Sequence, residues 1–263
     1  LGQPTVSRRI QHLECLLAQQ LFVRGKHGAR PTDAALRLVP AAEQMAKWAV
    51  EFDRAASGAE RLASGVVRIA APPGVAVEQL APFAALLRQR APAISLEVLS
   101  AIDHIDLTRG HADLAIRTHY PNEPELLVLR EFETQPGVYA SRSYAETIRQ
   151  PCAWEDLAWV TWAGRYRDVA PRSMLEKVIP GFEPVFASDD YLVQKAAVTA
   201  GLGAIIISKP DGFEQGELVE IDVGVRLPTQ SLYVVCAKSM QHVPRVRAVF
   251  EFLVQSIEGA AVV

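Results

Sequence analysis

The chain has 263 residues, 49% hydrophobic and 22% charged, enough apolar material for one large or two modest domains and too much for global disorder. No uninterrupted apolar run approaches the roughly 20 residues of a membrane helix, and no basic segment leading into an apolar core marks a secretory signal. The three cysteines, Cys15, Cys152 and Cys236, are far apart and in no paired motif, which argues against a disulfide framework and for a reducing, cytoplasmic setting. The net charge of −3 is unevenly spread: residues 1–32 carry +4, residues 33–65 carry −1 and the remainder carries −6. A basic head on an acidic body directs that head toward a polyanion.

Gly2-Gln3-Pro4-Thr5 reads as a helix start, with Pro4 at the first turn where its missing N–H costs little. Ile10, Leu13, Leu17 and Leu21 follow at helical spacing, and Arg8 and Arg9 sit near the N-terminal end. Phe22-Val23, Gly25, Gly28 and Pro31 then predict a small hairpin with a basic tip. Thr32 is placed to cap the next helix. Within that helix Leu38, Ala42, Met45, Ala49, Phe52 and Ala56 form a heptad seam, read here as a dimerisation helix, with Pro40 predicted to kink it. An amphipathic helix docked on its own domain is the alternative.

Ser57-Gly58 and Ser64-Gly65 mark a linker, after which strands and helices alternate. The pattern predicts a strand at 66–71, a Pro72-Pro73-Gly74 turn and a helix at 77–90 with Leu80, Phe83 and Leu87 inward. A strand at 94–99, a short helix at 102–109 and a strand at 112–117 follow, together a parallel βαβ sheet. Two antiparallel-looking strands at 126–133 and 137–140 precede a second unit. That unit has strands at 159–162, 204–208, 217–222 and 231–238, a helix at 189–200 and a closing helix at 243–257. Two small α/β lobes result, with crossing connections expected near residues 141 and 237.

Signatures of catalysis are absent: there is no GxSxG elbow, HExxH or GxxxxGK[ST], and Gly201-Leu202-Gly203 precedes a strand instead of following one, so it reads as a glycine helix stop. His104, His111 and His119 fit no metal-ligand spacing, and Asp103 and Asp106 read as a solvated helix face. No catalytic residue, metal or cofactor is expected. A helix opening with Gln3, Pro4, Thr5, Ser7, Arg8 and Arg9 offers short polar groups and a positive dipole end to phosphates, and Gln and Arg side chains long enough for base edges.

The run Gln3-Pro4-Thr5-Val6-Ser7-Arg8-Arg9-Ile10, with Leu13-Glu14, Leu21-Phe22-Val23-Arg24, Gly28 and Pro31-Thr32-Asp33-Ala34, resembles the LysR-type transcriptional regulators. Ala112-Asp113-Leu114-Ala115-Ile116-Arg117 and Ala200-Gly201-Leu202-Gly203-Ala204 look like strings of the same family's effector domain. The resemblance implies a mixed α+β and α/β chain. Residues 1–32 would be a partial winged helix-turn-helix, 33–65 a linker and dimerisation helix, and 66–263 a two-lobed, periplasmic-binding-protein-like (type 2) effector domain. Lobe I would hold residues 66–141 and 237–263, and lobe II residues 142–236. The family carries Gly where Ala18 and Ala35 stand, and an Ala forced into a left-handed turn costs about 1–2 kcal/mol. Helices that the family carries ahead of this run do not precede it here, so the chain is expected to be a fragment.

The function so implied is a ligand-responsive, sequence-specific regulator of double-stranded DNA, acting as a homodimer or homotetramer without a membrane partner. Gln3, Pro4, Thr5, Ser7, Arg8, Arg9, Lys26 and Arg30 would contact DNA. Clefts in such sheets lie at the C-terminal ends of strands. By that rule, and by the family's inter-lobe cleft, Pro73, Gly74, Val75, Ser100, Ala101, Arg117, Thr118, Thr161 and Asp189 are the candidate effector-binding residues. The expected effector is a small carboxylate or aromatic, with Arg117 either its carboxylate partner or part of a surface ion pair. The competing reading is a cytoplasmic small-molecule sensor without DNA binding.

Overall fold

The computed structural model describes residues 2–25, 28–56, 63–208 and 218–260. The chain forms two compact units, residues 1–62 and 63–263.

The first unit opens with helix α1 (Gln3–Leu17), which begins after Gly2 and accommodates Pro4 in its first turn. Ala18 ends it in the left-handed region, at φ 49° and ψ 33°, the strained conformation expected where glycine would be at ease. Glu14 reaches past that turn: its Oε1 accepts the backbone N–H groups of Leu21 at 2.7 Å and Phe22 at 3.0 Å. The carboxylate therefore joins α1 to the antiparallel hairpin β1 (Phe22–Gly25) and β2 (Gly28–Pro31). Thr32 Oγ1 accepts the Ala35 N–H at 3.2 Å and starts helix α2 (Asp33–Ala56), which continues unbroken past Pro40.

The second unit carries two similarly ordered sheets. In lobe I the order is β4 (Ile94–Ser100), β3 (Gly65–Ala71), β5 (Leu114–Arg117), β12 (Gln230–Ala237), β6 (Leu126–Thr134). The first three run parallel, and β12 is antiparallel to both its neighbours. Lobe II places β8 (Val160–Trp162) parallel to β9 (Phe186–Ser188). A parallel bridge from Trp159 to Ala204 leads on to β10 (Ala204–Ser208). Strand β7 (Pro136–Ser141) is antiparallel to β10 and to β11 (Leu218–Glu220).

In each lobe, the strand antiparallel to the parallel set is the one delivered by the crossing chain. This moves both expected crossings. The strands at 126–133 and 137–140 are not partners, because Gln135 alone separates β6 from β7, and a tight hairpin needs two residues. The first crossing is therefore at 135, not 141. The second precedes Gln230, not residue 237, because all of β12 pairs in lobe I.

Period-2 alternation explains how lobe II buries both faces of its sheet. Val138, Ala140, Trp159 and Ala204 enter one apolar cluster with Leu175 and Phe182, while Tyr139, Val160 and Ile205 enter the other with Val198. Lobe I is covered by α4 (Ala81–Arg90) and α8 (Pro244–Ala260), whose Phe83 and Phe252 rings lie 5.3 Å apart. Leu80, Phe83, Leu87, Val246, Val249 and Leu253 are buried, and Phe250, whose spacing also predicts an inward face, is half-buried.

Two local expectations change. Pro73-Gly74-Val75 is not a turn but the start of a helical run (Pro73–Val75) that passes through a π-helical turn (Ala76–Leu80) into α4. The helix expected at 102–109 does not form. Asp106 Oδ1 instead accepts from Thr108 N, Thr108 Oγ1 and Arg109 N, a side-chain turn that competes with helix. Those bonds, the Thr108 hydroxyl foremost, hold the Asp106 carboxyl below its ordinary value.

Candidate functional site

The second unit contains a cavity of about 620 Å³ between its lobes, within the usual size for small-molecule sites. From lobe I it is lined by the helical start at Pro73, Gly74 and Val75, by Glu78, and by Thr118 and His119 beyond β5. Lobe II contributes Trp162 at the end of β8, Asp168, and Tyr191 and Gln194 of α7 (Tyr191–Thr199). Ile205, Ile207 and Leu232 are among its apolar lining.

One carboxylate spans the lobes. Glu78 Oε1 accepts the Tyr191 hydroxyl at 3.2 Å and the Lys195 ammonium at 2.6 Å. Burial first, and then the Glu78 charge, push the Tyr191 phenol upward, so it remains a neutral donor. A second link joins Asp103 Oδ2 to Arg165 at 3.2 Å and to the Tyr166 hydroxyl at 3.3 Å. Asp103 is thus an inter-lobe contact, not a group on a solvated helix face. Trp162 is anchored through its carbonyl, which accepts from Arg172 Nη1 at 2.9 Å.

Of the predicted effector residues, Pro73, Gly74, Val75 and Thr118 line this cavity, and the structure places the other five elsewhere. Ala101 and Arg117 border a hollow of only about 20 Å³, a single water's room. Arg117 is 4% exposed and engaged: Nη1 meets Glu123 Oε1 at 3.0 Å and Nη2 donates to the Ile105 carbonyl at 3.4 Å. His104 borders the same hollow, and burial followed by the Arg117 charge lowers its pKa. Ser100, at the end of β4, is exposed. Thr161 is buried, with its hydroxyl unpartnered among the described residues. Asp189 is exposed, and its neighbour Asp190 caps α7 by accepting from Leu192 N at 2.7 Å.

Strand ends pointed to the right rim but often to the wrong parity. Thr161 is one residue before the lining side chain of Trp162, because alternate residues face opposite sides of a strand, and Ala101 is one residue before lining Ile102 in the loop beyond β4. Glu78, Tyr191 and Gln194 were missed because their role comes from the approach of two lobes, which no local pattern records.

In the first unit, Gln3, Pro4, Thr5, Arg8, Arg9 and Arg30 are exposed and Ser7 is half-buried. Lys26 lies outside the described residues. Along α2, Leu38, Ala42, Met45, Ala49 and Phe52 are all exposed, Met45 at 73% and Phe52 at 74%. Ala56 is the last helical residue, its side chain outside the description. None of the described helices is long and apolar enough to cross a membrane.

Comparison with known proteins agrees across the chain. The LysR substrate binding domain matches residues 60–258, and the lysR-family bacterial regulatory helix-turn-helix matches residues 1–36. An HTH-type transcriptional regulator of Xanthomonas campestris pv. campestris (strain 8004) is 25% identical, over 97% of this chain and 78% of its own. PtxR, an HTH-type transcriptional regulator of Pseudomonas aeruginosa, is also 25% identical, over 96% of this chain and 84% of its own. The structure of CrgA, a LysR-type transcriptional regulator from Neisseria meningitidis, aligns with TM-score 0.61 at 20% identity, covering 97% of this chain and 90% of that one. The chain belongs to the LysR family of DNA-binding transcriptional regulators, joining helix-turn-helix sequence to a two-lobed effector-binding domain.

Proposed function

We propose that the chain is a ligand-responsive, sequence-specific regulator whose effector sits in the cavity between the two lobes of residues 63–263. The N-terminal turns of α1 present Gln3, Pro4, Thr5, Ser7, Arg8 and Arg9 to the major groove, and the hairpin brings Arg30 to adjacent phosphates. The observation that carries this reading is the exposed cationic start of α1: neither Arg8 nor Arg9 is held in an ion pair by the described residues. Long, charged and unengaged side chains beside a positive helix end suit a polyanion.

The exposed apolar seam from Leu38 to Phe52 supports pairing of α2 with a second copy, as a homodimer or as half of a homotetramer. Effector binding would bias the arrangement of the lobes and, through the oligomer, the spacing of the DNA-reading heads.

A mobility-shift titration on DNA from upstream of its own coding region, across a salt series, tests the reading. Specific binding should weaken steeply with salt, Arg8→Ala should reduce the slope by about one, and Gln3→Ala should reduce discrimination between sequences. Ligand binding without any specific DNA binding would instead leave a sensor module.

A further inference from the structure

The inter-lobe cavity has a one-sided charge. Among the described residues, its lining includes two carboxylates, Glu78 on lobe I and Asp168 on lobe II, together with His119, and no lysine or arginine. The nearby described cations are already paired: Lys195 with Glu78 at the edge of the lining, Arg165 with Asp103, and Arg117 with Glu123. Among the described residues, an anionic ligand would therefore meet no unpaired guanidinium or ammonium in the lining, only carboxylates that repel it.

Two aromatic walls, Trp162 and Tyr191, stand in the same lining as those carboxylates. An aromatic face together with a carboxylate is a favourable setting for an organic cation. Glu78 has capacity for one: Tyr191 and Lys195 both bond Oε1, and Oε2 has no partner among the described residues. With its side chain 32% exposed, Lys195 is not sealed in place and can return to water if displaced.

We infer that the effector is an organic ammonium ion with an apolar, aromatic-sized body, its charge seated at Glu78 in competition with Lys195. The expectation of a carboxylate effector anchored by Arg117 gives way here, because that guanidinium is committed to Glu123 and Ile105 and lies outside the cavity lining. The inference rests on the reading of this cavity as the effector site.

Titration calorimetry on the whole chain with three indoles that share a two-methylene spacer tests it: tryptamine (cation), tryptophol (neutral) and indole-3-propionate (anion). Tryptamine should bind at least tenfold tighter than tryptophol, and indole-3-propionate at least tenfold weaker than tryptophol. Glu78→Gln should bring the tryptamine-to-tryptophol ratio close to one. Lys195→Gln, which removes the competing cation and keeps the carboxylate, should tighten tryptamine severalfold without changing tryptophol. That variant decides the matter if Glu78→Gln does not fold. Equal or tighter binding of the anion, an unchanged ratio in Glu78→Gln, unchanged tryptamine affinity in Lys195→Gln, or no binding of any indole would overturn the inference. None of these results touches the DNA titration, so the two readings fail separately.

Discussion

Gln135 Nε2 donates to the Leu227 carbonyl at 2.6 Å, bonding the segment that leaves lobe I to the segment that returns to it. Thr134 Oγ1 adds a bond to the Gln230 carbonyl at 3.2 Å. Both crossings are therefore fastened side by side, the arrangement expected of a hinge between two rigid lobes.

Removing that fastening should loosen the lobes more than it destabilises them. Gln135→Ala is expected to cost about 1 kcal/mol, the usual worth of one such bond. Hydrogen exchange should rise at residues 134–137 and 226–231 while the buried strands β3 and β10 stay protected. Uniformly raised exchange across both lobes would contradict the hinge assignment.

The left-handed Ala18 is a stored cost. Ala18→Gly should stabilise the first unit by about 1–2 kcal/mol, because glycine reaches φ 49° without the Cβ clash. Denaturant unfolding followed by far-ultraviolet circular dichroism measures it. A neutral or destabilising result would mean that the turn relaxes in solution.

Gly203 is required for a different reason. A Cβ there would overlap the Ala158 carbonyl, which accepts the Ala204 N–H at 2.7 Å beside the Trp159–Ala204 bridge. Gly203→Ala should cost about 3 kcal/mol by forced overpacking, with the thermal midpoint falling accordingly. Gly181→Ala is the contrast: its φ is +66° but nothing lies within 4 Å of the added methyl, so only the backbone cost of about 1–2 kcal/mol remains.

Acid should weaken lobe I through Glu123. The Arg117 hydrogen bond, the leading cause, holds the Glu123 carboxyl below 4.5. A lowered folded-state value means that this contribution is complete above about pH 4.5 and is lost as pH falls through the lowered value. Arg117→Ala should remove that part of the acid sensitivity and empty a buried site, lowering stability at pH 7. Parallel stability–pH curves for wild type and variant would show that the pair is not coupled to folding.

Sequence alone determined most of the longer elements, the order of the units and the family, because each rests on local periodicity or a contiguous string; it misjudged 73–75 and 102–109, where local hydrogen bonding overrode the pattern. The stripe of α1, the Thr32 cap and the inward faces of α4 and α8 are local facts. Tertiary structure decided the membership of β7 and β12, since strand partners depend on hydrogen bonds made far along the chain. It also decided which residues line the cavity: Glu78 and Tyr191 are 113 positions apart and meet only because the lobes close on each other. Periodicity reports the face a residue presents, but the partner across a gap is set by how separate layers come together.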